Sequence, residues 1–415
     1  MTHGRRGFRF HPPWLGGCAF VCVLSASLSA QEPVVPEPLT LEAAFARALT
    51  ANPTIVAARF RRNIDVAGVD LGRQRPNPEF HAELTNELPK QIYGLAIPVE
   101  IGGKRSRRIA VSEAAVETGE AELARTVVEV RAEVRRAYFN RVVAEARLTL
   151  VGDLQGIATR ARDAAQQRFD AGSAPRLEVL QAQLALAQAE NDATAALAAA
   201  GAARVQLNAL LGLPLDAPGT LSTPLDAPTI ALQPAIASAE ASSVELAVLD
   251  RRIEEQRLEV SLARAMQVPD VILDAAITRD AEPEFSTGWR AAFAIALPLF
   301  TLNGAAVRVE EATLTHLKAQ RDATATRIRG EVESTAALVE AQRQQYLRYR
   351  DQILPQALEV ERMAEDSYRL GQTGIVALLS ALQASRDARL RSLQVAADFQ
   401  NGLAELERVT GAPIP

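Results

Sequence analysis

The chain has 415 residues, 48% of them apolar but only 5% aromatic, and a formal net charge of −5. A composition rich in alanine and poor in aromatics suits long, closely packed helices better than one large globular core, and the acidic balance argues against a nucleic-acid surface. Both cysteines, Cys18 and Cys22, lie near the N-terminus, so the rest of the chain can form no disulfide.

Arg5, Arg6 and Arg9 precede an apolar run from Trp14 to Leu28, which ends in small residues before Gln31. This reads as a secretory signal peptide over residues 1–30, cleaved after Ala30. The apolar run is shorter than the ~20 residues a membrane helix needs. Leu15, Gly16 and Gly17 ahead of Cys18 have the look of a lipidation box, but the apolar core follows that triplet instead of preceding it. Cleavage removes three arginines and no acids, taking the net charge from −5 to −8. The remainder holds no apolar run of ~18 residues, so a passage through a membrane has to be made by a β-barrel.

After a Pro-rich leader (31–38), a first unit is expected over 39–212. It opens with a helix that Thr40 caps and that reaches Arg73, with Leu41, Ala44, Phe45, Ala48 and Leu49 on one face. Two alternating strands follow within 78–100, joined by a polar connection around Glu87–Lys90. Residues 103–171 contain no proline and read as a helix on the order of 100 Å long. Its apolar seam recurs every seven residues, at Ile109, Val116, Leu123, Val130, Ala137, Ala144, Val151, Ala158 and Ala165. That period predicts left-handed supercoiled packing. A turn and a return helix from Arg176 to about Leu211 complete the unit.

A Pro-rich connector (213–234) leads to a second unit over 235–411. It is expected to contain a helix from about Ala235 to Met266, strands within 270–299 at Asp270–Arg279 and Gly288–Leu299, a long helix over 303–370 and a return helix from Ile375 to about Thr410. Pro355 and its counterpart Gly156 predict a bend in each long helix.

The two units are copies. Pro98 and Pro298 are 200 residues apart, Gly172 and Gly371 are 199 apart, Gly212 and Gly411 are 199 apart, and Pro78 and Pro269 are 191 apart. The period is too long for a small-repeat solenoid and marks one unit built twice. Each of the four strands has the length and alternation of an outer-membrane strand. Four strands cannot close a barrel, and lipid does not tolerate open edges. Three chains supply twelve strands and close it, with the helices gathered into a tube below. A protein whose polar faces line a tube is a conduit and not an enzyme.

The opening PLTLEAAFARALTANPTIVAAR, the phrase IPVEIGGKRSRRI, the turns RFDAGSAPRLEVLQAQ and YRLGQTGIVALLSALQ, and the ends LLGLP and VTGAP resemble the TolC-type outer-membrane efflux proteins over the whole mature chain. The segment Pro98–Arg105 is similar to the heavy-metal branch, whose pumps export cobalt, zinc and cadmium or copper and silver. The resemblance implies a mostly α chain with a small β part, forming a homotrimer with a long α-helical barrel and a twelve-stranded transmembrane β-barrel. It implies an exit duct in the outer membrane of a Gram-negative bacterium, with outer-membrane lipid, a periplasmic adaptor (membrane fusion) protein and an inner-membrane pump of the resistance-nodulation-division type as partners. Multidrug efflux or type I protein secretion is the alternative within the channel class, and a pore-less periplasmic coiled-coil scaffold is the remote one.

The same resemblance places the gate and adaptor-docking tip at the helix-return turns 169–176 and 368–375. The residues concerned are Gly172, Arg176, Glu178, Gly371, Gly374, Ala377 and Ser380. The family commonly carries aspartates where this chain has Ala377 and Ser380, so an acidic ring has to come from Glu178. Phe80, Leu84, Leu95, Ile97, Trp289, Phe293 and Ile295 are expected to face lipid, and Glu83 and Arg290 water. Tyr93 and Trp289 are candidate interface anchors.

His81 and His316 are the only histidines after the signal peptide, in separate elements, and Met266 and Met363 the only methionines. No metal-ligand cluster is visible at such spacings, and His81 reads as an ordinary strand residue. Gly102-Gly103-Lys104-Arg105 lacks the spacing of a phosphate-binding loop, so no cofactor is expected. No nucleophile–base pair stands out among the carboxylates.

Overall fold

The computed structural model describes residues 38–225, 232–297 and 302–413. The signal peptide, all but the last residue of the leader, residues 226–231 of the connector and Pro298 lie outside the described residues.

The element order is α1 (Leu41–Ala51), α2 (Pro53–Arg73), β1 (Glu79–Leu84), β2 (Gln91–Val99), α3 (Lys104–Asp170) and α4 (Arg176–Leu210) in the first half. The second half repeats it as α5 (Leu232–Ser242), α6 (Val244–Ala265), β3 (Val271–Ala281), β4 (Phe285–Ile295), α7 (Gly304–Arg348), a π-helical turn (Tyr349–Ile353), α8 (Leu354–Arg369) and α9 (Ile375–Thr410).

The opening helix differs from the expectation of one continuous rod to Arg73. Thr40 does cap it, accepting from the Ala43 amide. However, Asn52 takes an extended conformation (ψ 126°) ahead of Pro53, because a residue before proline is pushed out of the helical region. The Asn52 carboxamide oxygen then caps α2 by accepting from the Thr54 and Ile55 amides, while its Nδ2 donates to the Leu210 carbonyl at the end of α4. The helix expected from Ala235 to Met266 is interrupted likewise. Ser243 caps α6, and the neighbouring Ser242 hydroxyl donates to the Thr410 carbonyl at the end of α9. Asn52 and Ser243 are 191 residues apart, the offset that separates Pro78 from Pro269.

The long helices are unequal. Gly156 does not interrupt its helix, since α3 is α-helical throughout its 67 residues. That is a rod of about 100 Å. Pro355 does disturb its helix, through the π-helical turn just before it. Proline lacks an amide hydrogen and crowds the carbonyl four residues back, and one wider turn relieves both. All nine seam residues of α3 from Ile109 to Ala165 are buried or half-buried, as knobs-into-holes packing requires. Buried apolar residues gather around α3: Leu41, Ala44, Val134, Tyr138 and Leu207 on one side, and Leu150, Leu154 and Ile157 further along. The α7–α9 pair has its own core of Val339, Phe399, Leu403 and Leu406.

The four strands form one antiparallel sheet in the order β1-β2-β3-β4, so β1 and β4 each keep an unpaired edge. The polar connection expected at 87–90 joins β1 and β2. Strand β3 ends two residues later than expected, at Ala281, and β4 starts at Phe285 instead of Gly288 and stops at Ile295. Among the described residues, no helix is long and apolar enough to cross a membrane.

Candidate functional site

Strand register decides what each face of the sheet presents, because side chains alternate sides and paired residues share a side. Phe80 pairs with Leu95, Leu95 with Ala275 and Ala275 with Ala291. The rung Ile97–Leu273–Phe293 and the rung Val99–Val271–Ile295 lie on the same face. Towards the hairpin loops come Ala82–Tyr93–Ile277–Trp289 and then Leu84–Gln91–Arg279–Thr287. All seven residues expected to meet lipid therefore share one face. Its outer rung is mostly polar, and the rung just inside carries both Tyr93 and Trp289. The apolar side chains stand free on this single chain: Trp289 is 83% exposed, Leu84 76% and Phe293 73%.

The opposite face is small or polar at most positions, Ile92, Pro98 and Ile272 excepted. It holds Glu79, Glu83, His81, Gly94, Ala96, Asp274, Thr278 and Arg290. Glu83 and Arg290 are both exposed there.

The segment Pro98–Arg105 forms the joint between sheet and rod. Lys104 Nζ lies 2.8 Å from Asp270 Oδ1, Arg105 Nε donates to the Arg73 carbonyl, and Arg108 forks onto Glu100 at 2.6 Å while also donating to the Gly72 carbonyl. The basic run thus pins α3 to the end of α2 and to the start of β3.

At the far end of α3, both helix returns use a glycine at positive φ, 71° at Gly172 and 72° at Gly371. Few other residues adopt that conformation without strain, and both positions open onto free space. The two turns lie at one end of the bundle. Tyr368 of α8 is buried with Ala161 of α3 and with Ile375 and Leu378 of α9, and its hydroxyl donates to Glu178 Oε2 of α4 at 3.2 Å. The guanidinium of Arg168 lies 4.7 Å over the Tyr368 ring. Burial and the Glu178 charge push the Tyr368 phenol pKa up, with Arg168 partly opposing them.

Further along, Arg386 of α9 pairs with Asp192 of α4, and Arg160 of α3 lies 3.9 Å from Glu365 of α8. A cleft of about 420 Å³ between α3, α4 and α9 is lined by Leu154, Leu184, Asp192, Leu379, Ser380 and Arg386. Of the tip residues expected from sequence, Arg176 and Ala377 are exposed, Gly374 precedes α9 and Ser380 lines the cleft. Glu178 is the one engaged in a link between the two halves. Tyr368, Asp192 and Arg386 were not among the expected residues. Tyr368 had a signal, since it lies 199 positions after Phe169, so the repeat conserves an aromatic ring there and adds a hydroxyl in the second half only.

His316 is exposed on α7, in a different element from His81. Among the described residues, no group of three or more His, Cys, Asp or Glu side chains is placed to hold a metal ion.

Comparison with known proteins agrees with this geometry. The cobalt-zinc-cadmium resistance protein CzcC of Cupriavidus metallidurans is 27% identical over 410 residues, covering 94% of this chain and 96% of that protein. The fold matches the solved outer-membrane channel OprN with a TM-score of 0.76 at 21% identity, over 90% of each chain. It matches the Campylobacter jejuni CmeC outer membrane channel with a TM-score of 0.77 at 14% identity, over 89% of this chain and 85% of that one. The fold is thus that of channel proteins. The outer membrane efflux protein family matches residues 45–213 and 235–412, the two halves that share one element order, and the chain belongs to that family.

Proposed function

We propose that three copies of this chain form an outer-membrane exit duct that passively conducts heavy-metal cations delivered by a periplasmic adaptor and an inner-membrane pump. The observation that carries this reading is the sheet, with one face apolar and exposed, the other mostly small or polar, and two unpaired edges. Lipid tolerates no unpaired strand edge, so β1 of one copy pairs with β4 of the next until twelve strands close. The apolar face meets lipid, with Tyr93 and Trp289 near the interface where aromatics gather. The mostly polar face lines the lumen. The rod of α3 carries the duct about 100 Å into the periplasm, where the turns at Gly172 and Gly371 meet the adaptor. Residues 1–30 direct export and are removed after Ala30.

The metal substrate is supported by the similarity to a cobalt-zinc-cadmium resistance protein along nearly the whole chain and by the Pro98–Arg105 segment. On this reading the pump and adaptor select the ion, and the duct passes it on. Deleting the gene should sensitise cells to divalent cobalt, zinc and cadmium more than to bulky drugs, and the intact chain should restore tolerance. Unchanged metal tolerance with raised drug sensitivity would move the substrate to the multidrug class.

A further inference from the structure

His81 on β1 and Asp274 on β3 are separated by a whole strand, yet the imidazole Nε2 lies 3.4 Å from Asp274 Oδ2. The intervening residue is Gly94, which pairs with His81. A side chain at Gly94 would occupy the volume of the imidazole ring, so the glycine is the notch through which His81 crosses β2. Arg290 on β4 completes the cluster, with Nη2 3.5 Å from Asp274 Oδ1. That oxygen is shielded from solvent and accepts no hydrogen bond, and the Asp274 side chain is only 19% exposed.

The other charges on this face are Glu79 and Glu83, two residues to either side of His81 on β1, and by strand alternation Asp280 near the end of β3, which pairs with Lys90 at 3.9 Å. Strand β2 presents only Ile92, Gly94, Ala96 and Pro98, β3 adds Thr278 beside Asp274, and β4 has Arg290 among Gly288, Ala292 and Ala294. With the Asp280–Lys90 pair cancelling, the carboxylates of Glu79, Glu83 and Asp274 against the Arg290 guanidinium leave the face at a net −2 when the imidazole is neutral. Protonation of His81 makes it −1.

We propose that His81, seated in the Gly94 notch against Asp274, is a proton-titrated selectivity element of the duct. The proposal rests on the reading that this face lines the lumen. Charged rings in a pore set its preference for cations or anions, and histidine is the side chain whose charge changes across roughly pH 5–8. With three copies around one lumen, protonation halves the negative charge and weakens the preference for cations. The duct therefore conducts cations outward best against neutral or alkaline surroundings and admits them least from acidic ones.

Planar-bilayer recordings of the intact trimer test this through the reversal potential in a potassium chloride gradient, at about pH 8 and about pH 5.5, where histidine but few carboxylates change charge. The wild type should show a lower potassium-to-chloride permeability ratio at the lower pH. His81→Gln should lose that shift and keep the higher ratio at both pH values. Asp274→Asn should lower the ratio at pH 8. A wild-type ratio indifferent to pH, or a His81→Gln trimer that keeps the full shift, overturns the inference while leaving the duct intact. Assembled trimers that pass no current at either pH overturn the duct reading and the inference with it.

Discussion

The phenolic hydroxyl of Tyr368 donates to the Glu178 carboxylate at 3.2 Å and so joins the second-half hairpin to the start of the first-half return helix. Burial and the adjacent carboxylate raise the phenol pKa, which keeps Tyr368 a neutral donor at physiological pH. A hydrogen bond to a charged partner contributes about 1.5–3 kcal/mol, and under the proposed function it is a restraint on the tip of a size that a docking partner can undo. Tyr368→Phe removes the hydroxyl and keeps the ring, as the first half does at Phe169. It is expected to raise single-channel conductance or open probability in planar bilayers, with a loss of thermal stability no larger than that one hydrogen bond accounts for. Conductance equal to wild type would place the restraint elsewhere, with Asp192–Arg386 the next pair to test.

Much of this was legible in the sequence because it rests on local rules. The seven-residue seam of α3, the alternation of the strands and the turn glycines each follow from spacing alone. The helix breaks were misread for a different reason. Asn52-Pro53 looks like a minor flaw in an otherwise strong apolar pattern, and Ser243 carries no proline at all. Each break is also held from a distance, since its capping side chain, or the residue beside it, binds the end of a distant return helix. Pairings such as Tyr368 with Glu178 and His81 with Asp274 lie beyond any local pattern, since 190 and 193 positions separate the partners. At Gly156 the helix continues unbroken, because packing along the α3 seam overrides a glycine penalty of only about 1 kcal/mol.

Phe293 shares the exposed apolar face with Ile97 and Leu273 in the middle rungs of the sheet. A charge at a mid-membrane, lipid-facing position costs about 2–4 kcal/mol. Phe293→Arg should therefore sharply reduce the amount of trimer recovered from outer membranes. Ala292→Ser, one residue away on the opposite face, should leave it at the wild-type amount. Equal recovery of the two variants would mean that the apolar face does not meet lipid.

Glu407 of α9 is 1% exposed and receives both Arg131 and Arg135 of α3, the latter at 3.3 Å. The three side chains tie the second half to the long rod of the first. Taking two charges out of water is costly, so the network adds little over an apolar contact, but removing the carboxylate from a buried ionic network of this kind costs up to about 3–5 kcal/mol. Glu407→Ala should lower the melting temperature of the detergent-solubilised trimer markedly. Replacing Arg136, a half-exposed neighbour 3.5 Å from Glu405, should change it far less, since exposed pairs contribute about 0–1 kcal/mol.

Glu259 of α6 is half-buried, and its pKa is raised by that burial and by the nearby carboxylates of Glu310 and Glu255. Glu255 accepts from the Thr118 hydroxyl at 2.7 Å and Glu310 from the Gln256 amide at 2.6 Å, so both neighbours are fixed in place. An acid whose pKa is higher in the folded state binds its proton more tightly there than in the unfolded chain. Stability from this group is therefore fully present below the unfolded pKa and is lost as pH rises through the folded one. At neutral pH the ionised carboxylate opposes folding, and its like-charge contact with Glu255 one helical turn away costs about 0.2–0.5 kcal/mol before burial is counted. Glu259→Gln should raise the melting temperature at about pH 8 and give no gain at about pH 4, where a carboxylate of ordinary pKa is already largely protonated. A gain of equal size at both pH values would show that the amide stabilises α6 through its own hydrogen bonds and not by removing charge.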